Sequence, residues 1–158
     1  MNKKGFLLGE ETLKIIIAVI AIGFLVYLLA ALYFSLNSEQ KAKEAQASLN
    51  DILMKEIIRL GSNGTYNEQG ILIPNPSGWY ILGFTSEKKP NSCTGTNCVC
   101  ICENALINIF DAQIKNCDKK GSCVVVPSLK EFAKIKIEKD GTPILIQKLN
   151  DFLMITKK

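Results

Sequence analysis

Residues 15–34 read IIIAVIAIGFLVYLLAALYF, twenty consecutive residues without a charge. At 1.5 Å per residue, a helix of this length covers roughly 30 Å, the thickness of a bilayer core. The run is apolar on every face and has no internal polar stripe. A helix of a small soluble domain would show one solvent-facing side and capping residues, and this run has neither. A secretory signal peptide would be followed by a cleavage site of small residues. Here the chain instead continues into polar helical sequence from Asn37 onward. This stretch therefore predicts a single membrane-spanning helix near the N-terminus, and the rest of the chain is read outward from it.

The flanks set the expected orientation. Lys3 and Lys4 precede the helix, whereas Glu39, Lys41, Lys43 and Glu44 follow it in balanced number. Basic residues stay on the cytoplasmic side. The N-terminus is thus expected in the cytoplasm and the remainder outside the cell. Asn63-Gly64-Thr65 in that outer part has the form of a glycosylation sequon, a weak signal on its own.

Residues 38–60, SEQKAKEAQASLNDILMKEIIRL, are rich in good helix formers. Leu49, Ile52, Leu53, Ile57 and Leu60 recur at separations of three and four and form an apolar stripe. Asn37-Ser38 can cap a new helix, but no proline intervenes before Pro74. A continuous helix from about Leu7 to Leu60, of roughly 80 Å, is expected, with Gly61 as its stop. Its stripe has to be covered by the strands that follow. Those are expected at Ile71-Ile73, Trp79-Phe84, Cys98-Cys102, Cys123-Val126, Phe132-Glu138, Ile144-Lys148 and Phe152-Ile155. Asn75-Pro76-Ser77-Gly78 reads as a turn. KIKIEKDGTPILIQ reads as a hairpin turning at Asp140-Gly141. The stretch Glu103-Lys115 fits both periods, and we read it as a short helix. Trp79-Tyr80 is read as a core anchor rather than an adhesive patch. The fold class is α+β: a long N-terminal helix on a small, mostly antiparallel sheet.

All six cysteines fall between Cys93 and Cys123, as Cys93, Cys98, Cys100, Cys102, Cys117 and Cys123. An even number in a small extracytoplasmic domain points to disulfides, which compensate for a modest core. Cys98, Cys100 and Cys102 alternate with Val99 and Ile101, so all three thiols share one strand face. Neighbours on that face are near the upper limit for a bridge. If each pairs elsewhere, Cys93, Cys117 and Cys123 are its partners, which leaves six of the fifteen possible pairings. A bridge between Cys117 and Cys123 across Asp-Lys-Lys-Gly-Ser would break that assumption. The competing chemistry is a thiolate metal site, with Asp111 or Asp118 as extra ligands. The spacing lacks the paired C-x-x-C that zinc and redox sites use.

Other chemistry is sparse. The chain has no histidine, which excludes imidazole catalysis and histidine-containing metal sites. The net charge of +4 comes from 19 basic and 15 acidic residues without a basic block, so no nucleic acid partner is expected. There is no phosphate loop, nucleophile elbow, calcium loop or glycosidase pattern. We assign no catalytic residue and expect no cofactor.

The N-terminus adds a more specific signal. MNKKGFLLGEE places a short basic stretch before Gly5, then Phe6, with Glu10 fifth in the chain that starts at Phe6. This resembles the class III signal peptide of type IV pilin-like proteins over residues 3 to about 34. Gly9, where the family usually has an aliphatic residue, and the second acid Glu11 depart from the pattern. The resemblance implies that a prepilin-type peptidase cuts between Gly5 and Phe6 on the cytoplasmic side. Residues 1–5 would then be leader, 6–36 the transmembrane and assembly helix, 37–61 its amphipathic continuation, and 62–158 the extracytoplasmic domain. It also implies partners: the membrane, the peptidase, and other pilin-like subunits in a surface filament or pseudopilus. A carboxylate in lipid is costly unless paired, and the Phe6 amine of a neighbouring subunit would pair with Glu10. The alternative is a monomeric, membrane-anchored surface binding domain, with or without a metal on its cysteines.

Overall fold

A computed structural model describes residues 4–62, 68–104 and 110–158, with side chains described for 12–61, 68–104 and 111–158. The sequon at Asn63-Gly64-Thr65 lies outside them. The chain divides into two compact units, Met1–Ser38 and Glu39–Lys158.

Helix α1 spans Lys4–Ala47, so Asn37-Ser38 does not cap a second helix. It passes into a π-helical turn, Ser48–Leu53, and then into α2, Met54–Ser62. The wider turn has a packing reason. A step of four residues overshoots an α-helical turn by about 40°. Ala45, Leu49, Leu53 and Ile57 would drift around the helix if the α geometry held throughout. The π turn takes up the excess and keeps them on one face. Ala45, Leu49, Leu53 and Leu60 are buried, with Ile57 packed against them. Ser48 is buried on the same side, and its hydroxyl donates to the Asn75 carbonyl at 2.7 Å.

Two antiparallel sheets cover this face. β1 (Glu68–Ile73), β6 (Thr142–Leu149) and β7 (Phe152–Lys157) form one, in the order β1-β6-β7. β2 (Tyr80–Phe84), β3 (Cys98–Cys102), β4 (Ser122–Val125) and β5 (Ile135–Lys136) form the other, in the order β4-β3-β2-β5. Both sheets contribute to a single core under the helix. Ile73, Ile144, Ile146 and Ile155 come from the first, and Ile81, Val99, Ile101 and Ile135 from the second. Trp79 is also buried in this core, as an anchor should be.

The expected hairpin at Lys134–Gln147 does not form. The chain does turn at Asp140-Gly141, where Gly141 has φ 86° and its amide donates to the Glu138 carbonyl at 3.1 Å. β5 then pairs with β2, while β6 pairs with β1 and β7. Thr142 makes this corner possible. Its buried hydroxyl accepts from the Glu138 amide at 2.8 Å and donates to the Lys136 carbonyl at 2.9 Å. A side chain thus satisfies two groups that a hairpin ladder would have paired. The true hairpin is β6–β7, with Leu149 opposite Phe152 across Asn150-Asp151, and Asn150 has φ 55°. The strand expected over Phe132–Glu138 shortens to Ile135–Lys136, because only β2 is available to it.

A helix does occupy the end of the stretch Glu103–Lys115 and runs beyond it. α3 spans Phe110–Lys120, whereas residues 105–109 lie outside the described ones. Lys119 and Lys120 sit in its last turn, where positive charge favours a helix C-terminus.

Candidate functional site

Two features of this chain carry chemistry: the apolar part of α1 and the layer of cysteines. In α1, the side chains from Thr12 to Asn37 are all exposed, including Ile15, Ile20, Phe24, Leu29 and Phe34. None of the apolar window is buried inside the protein. A helix apolar on all sides is stable in lipid or against other apolar helices, not in water. The helix is long and apolar enough to cross a membrane, and this fits single-pass anchoring. Gly5, Phe6 and Glu10 have helical backbone within α1, and their side chains are outside the described ones.

Beyond the apolar stretch, polar pairs take over. The Lys43 ammonium lies 2.8 Å from the Glu39 carboxylate, one turn away. By hydrogen bond first and charge second, Lys43 holds the Glu39 carboxyl below the usual carboxylate range. This support for the helix is present above the unfolded carboxylate pKa and is lost as pH falls through the lowered folded value. Asp51–Lys55 and Glu56–Arg59 continue the pattern at 3.5 and 3.7 Å.

The cysteine layer lies on the face of the four-stranded sheet opposite the main core. β3 is buried on both sides. Val99 and Ile101 enter the core under the helix, whereas Cys98, Cys100 and Cys102 form a second cluster with Phe84, Cys93 and Cys117. Leu82, Ile114 and Cys123 pack around it. The strand alternation therefore sorts aliphatic from sulfur side chains into two layers.

Each strand thiol pairs with a cysteine from another element. Cys93–Cys98, Cys100–Cys123 and Cys102–Cys117 are bonded, with Cα separations of 5.6, 4.0 and 5.1 Å. The first ties β3 to a 3-10 turn, Asn91–Cys93, the second crosses to β4, and the third fastens α3. No bridge joins Cys117 to Cys123. Among the described residues, the sulfurs of Cys93, Cys98 and Cys100 lie within 4.8 Å of one another. That proximity arises from two adjacent disulfides, whose sulfurs are not free thiolates. Asp111 and Asp118 serve other ends. Asp111 meets Lys88 at 3.1 Å, and Asp118 accepts from Asn91 Nδ2 at 3.2 Å and from the Ser92 amide at 3.4 Å. Asp118 thereby anchors the turn that delivers Cys93.

Glycine makes the third bridge fit. A Cβ on Gly121 would lie 2.6 Å from Cys102 Cβ and 2.8 Å from the Cys117 carbonyl oxygen. The Gly121 amide instead donates to that carbonyl at 3.0 Å and closes α3. The side-chain amides of Gln113 and Asn116 donate to the Glu103 carbonyl at 2.9 and 2.8 Å, fixing α3 to the chain leaving β3. None of these contacts was visible in the spacing of the cysteines.

Compared with known proteins, the chain matches no family model, no curated protein and no solved structure.

Proposed function

We propose that this chain is a type IV pilin-like subunit. Its leader is cut between Gly5 and Phe6 by a prepilin-type peptidase, and residues 6–36 hold it in the membrane before assembly. The disulfide-bonded domain then stands on the outer face, and the apolar helix packs with other copies or related subunits in a filament or pseudopilus. The observation that carries this reading is the apolar helix itself. Among the described residues none of its apolar window is buried, yet it follows a Lys-Lys-Gly-Phe start with Glu10 at the fifth position after the cut.

In lipid, the Glu10 carboxylate needs a counter-charge. The amine freed at Phe6 supplies one when a neighbouring subunit is staggered along the helix. The protein then acts as a structural subunit, with no catalytic step.

Replacing Glu10→Leu tests the pairing. The variant should insert in membranes as the parent does, because an apolar residue joins an apolar helix. Its recovery in sheared surface filaments should drop about tenfold or more, as expected for losing a desolvated ion pair. Filaments at parental yield would reject the reading.

A further inference from the structure

Two of the three bridges bring their sulfurs together. Cys93 Sγ lies 4.0 Å from Cys100 Sγ, and Cys98 Sγ lies 3.9 Å from it, although neither is bonded to it. All three sulfurs fall within 4.8 Å of one another, and Cys123, bonded to Cys100, stands beside them. Tetrahedral zinc holds thiolates at about 2.3 Å, which sets the sulfurs roughly 3.8 Å apart. The spacings across the two bridges already match that figure. Cys102 and Cys117 face elsewhere: the Gln113 side-chain amide meets their sulfurs at 3.5 and 3.6 Å.

Contacts other than the bridges also hold these positions. Cys98 and Cys100 lie in β3 between β2 and β4, and Cys100 stands opposite Cys123 in the ladder. Cys93 ends its 3-10 turn, where its amide donates to the Pro90 carbonyl at 3.0 Å. From Cys93 to Cys98 the loop is tied by Thr96, whose amide and hydroxyl both donate to the Cys93 carbonyl, at 3.0 and 2.9 Å. The Lys89 ammonium donates to the Gly95 carbonyl at 3.2 Å and to Asn97 Oδ1 at 3.0 Å, which brings a positive charge to the same loop. Thiols placed by backbone and polar contacts in this way leave little to be ordered when a ligand arrives.

We propose that, before its bridges close, this chain binds a soft cation of the zinc class through the thiolates of Cys93, Cys98, Cys100 and Cys123. Thiols are kept reduced where chains are made, so this form precedes the bridged one. Cys93, Cys98 and Cys100 are fully buried and Cys123 is half-buried, as suits a closed structural site. Rotation of its side chain turns Cys123 toward the other three. The cation takes the place of the four thiol protons. Bridging and metal binding then exclude each other. A small disulfide closes each bridge by accepting two electrons and two protons, which makes it two thiols, and the cation leaves. This proposal is independent of the filament reading.

The full chain in detergent micelles, reduced with a phosphine and dialysed against zinc, tests this. It should retain about one zinc ion per chain, and the oxidised chain should retain none. Cobalt in place of zinc should give the absorption of tetrahedral thiolate coordination. Cys98→Ser together with Cys100→Ser should abolish both signals, and Cys123→Ser, at a half-buried position, should weaken zinc retention. Cys102→Ala together with Cys117→Ala should leave both signals in place. Trp79 emission reports whether each metal-bound form has the buried core of the oxidised chain. No retained zinc, zinc bound without that emission, or a cobalt spectrum that survives the loss of Cys98 and Cys100 would overturn the proposal. Loss of zinc on replacing Cys102 and Cys117 while the emission stays native would overturn it too, by moving the site to the third pair.

Discussion

Thr142 is fully buried, and its hydroxyl is the pivot on which the chain passes from one sheet to the other. Thr142→Val keeps the shape and removes the bonds. The Glu138 amide and Lys136 carbonyl would then lose that partner, at a cost of about 1–3 kcal/mol. Thr142→Ser retains the hydroxyl and should lose less. Trp79 is the single tryptophan and sits in the same core, so its fluorescence during urea unfolding reads the difference. Equal stability of the valine and serine variants would contradict this account of the corner. The residue also shows why the hairpin was misread from sequence. Ile135 and Ile137 alternate with lysines, and Ile144 and Ile146 follow Gly141, as a hairpin requires. Yet all four enter one core whichever strands pair. Periodicity specifies the buried face and is silent about the neighbour. Only a buried polar side chain distinguishes the two pairings, and a lone threonine after a turn gives no such signal.

Among the elements, β3 was the most legible. Its alternation of cysteine with valine and isoleucine fixed the strand, its two faces and the direction of its thiols. The partner of each thiol was not legible, since it depends on where the Asn91–Cys93 turn, β4 and α3 come to rest. The π turn was also hidden, because the separations of its apolar residues are ordinary for a helix. The three bridges close loops with sequence separations of 5, 15 and 23. In the loop-entropy view, they contribute about 2, about 3 and slightly more than 3 kcal/mol, respectively. Replacing both cysteines of a pair with alanine should therefore lower the unfolding midpoint least for Cys93–Cys98. The losses for Cys102–Cys117 and Cys100–Cys123 should be larger and close to each other. A reversed order would show that packing in the sulfur layer, rather than chain constraint, sets their worth.

For the molecule as a whole, the apolar run from Ile15 to Phe34 announces itself by composition, and the structure leaves it without internal burial. Its length, its all-round apolarity and the amphipathic stripe from Leu49 to Leu60 are local properties, and they carried the α+β class. On the proposed reading, what the helix packs against is a property of several chains, which one sequence does not contain. Short motifs at the N-terminus supply the link, and the pilin-like reading rests on whether Gly5 is a cleavage site. The intact mass of the native protein extracted from membranes, before and after reduction, decides this most directly. The account predicts a chain beginning at Phe6 that gains about six hydrogens on reduction, two for each of the three bridges. A chain that still begins at Met1 would contradict pilin-type processing and leave a signal-anchored surface domain in its place.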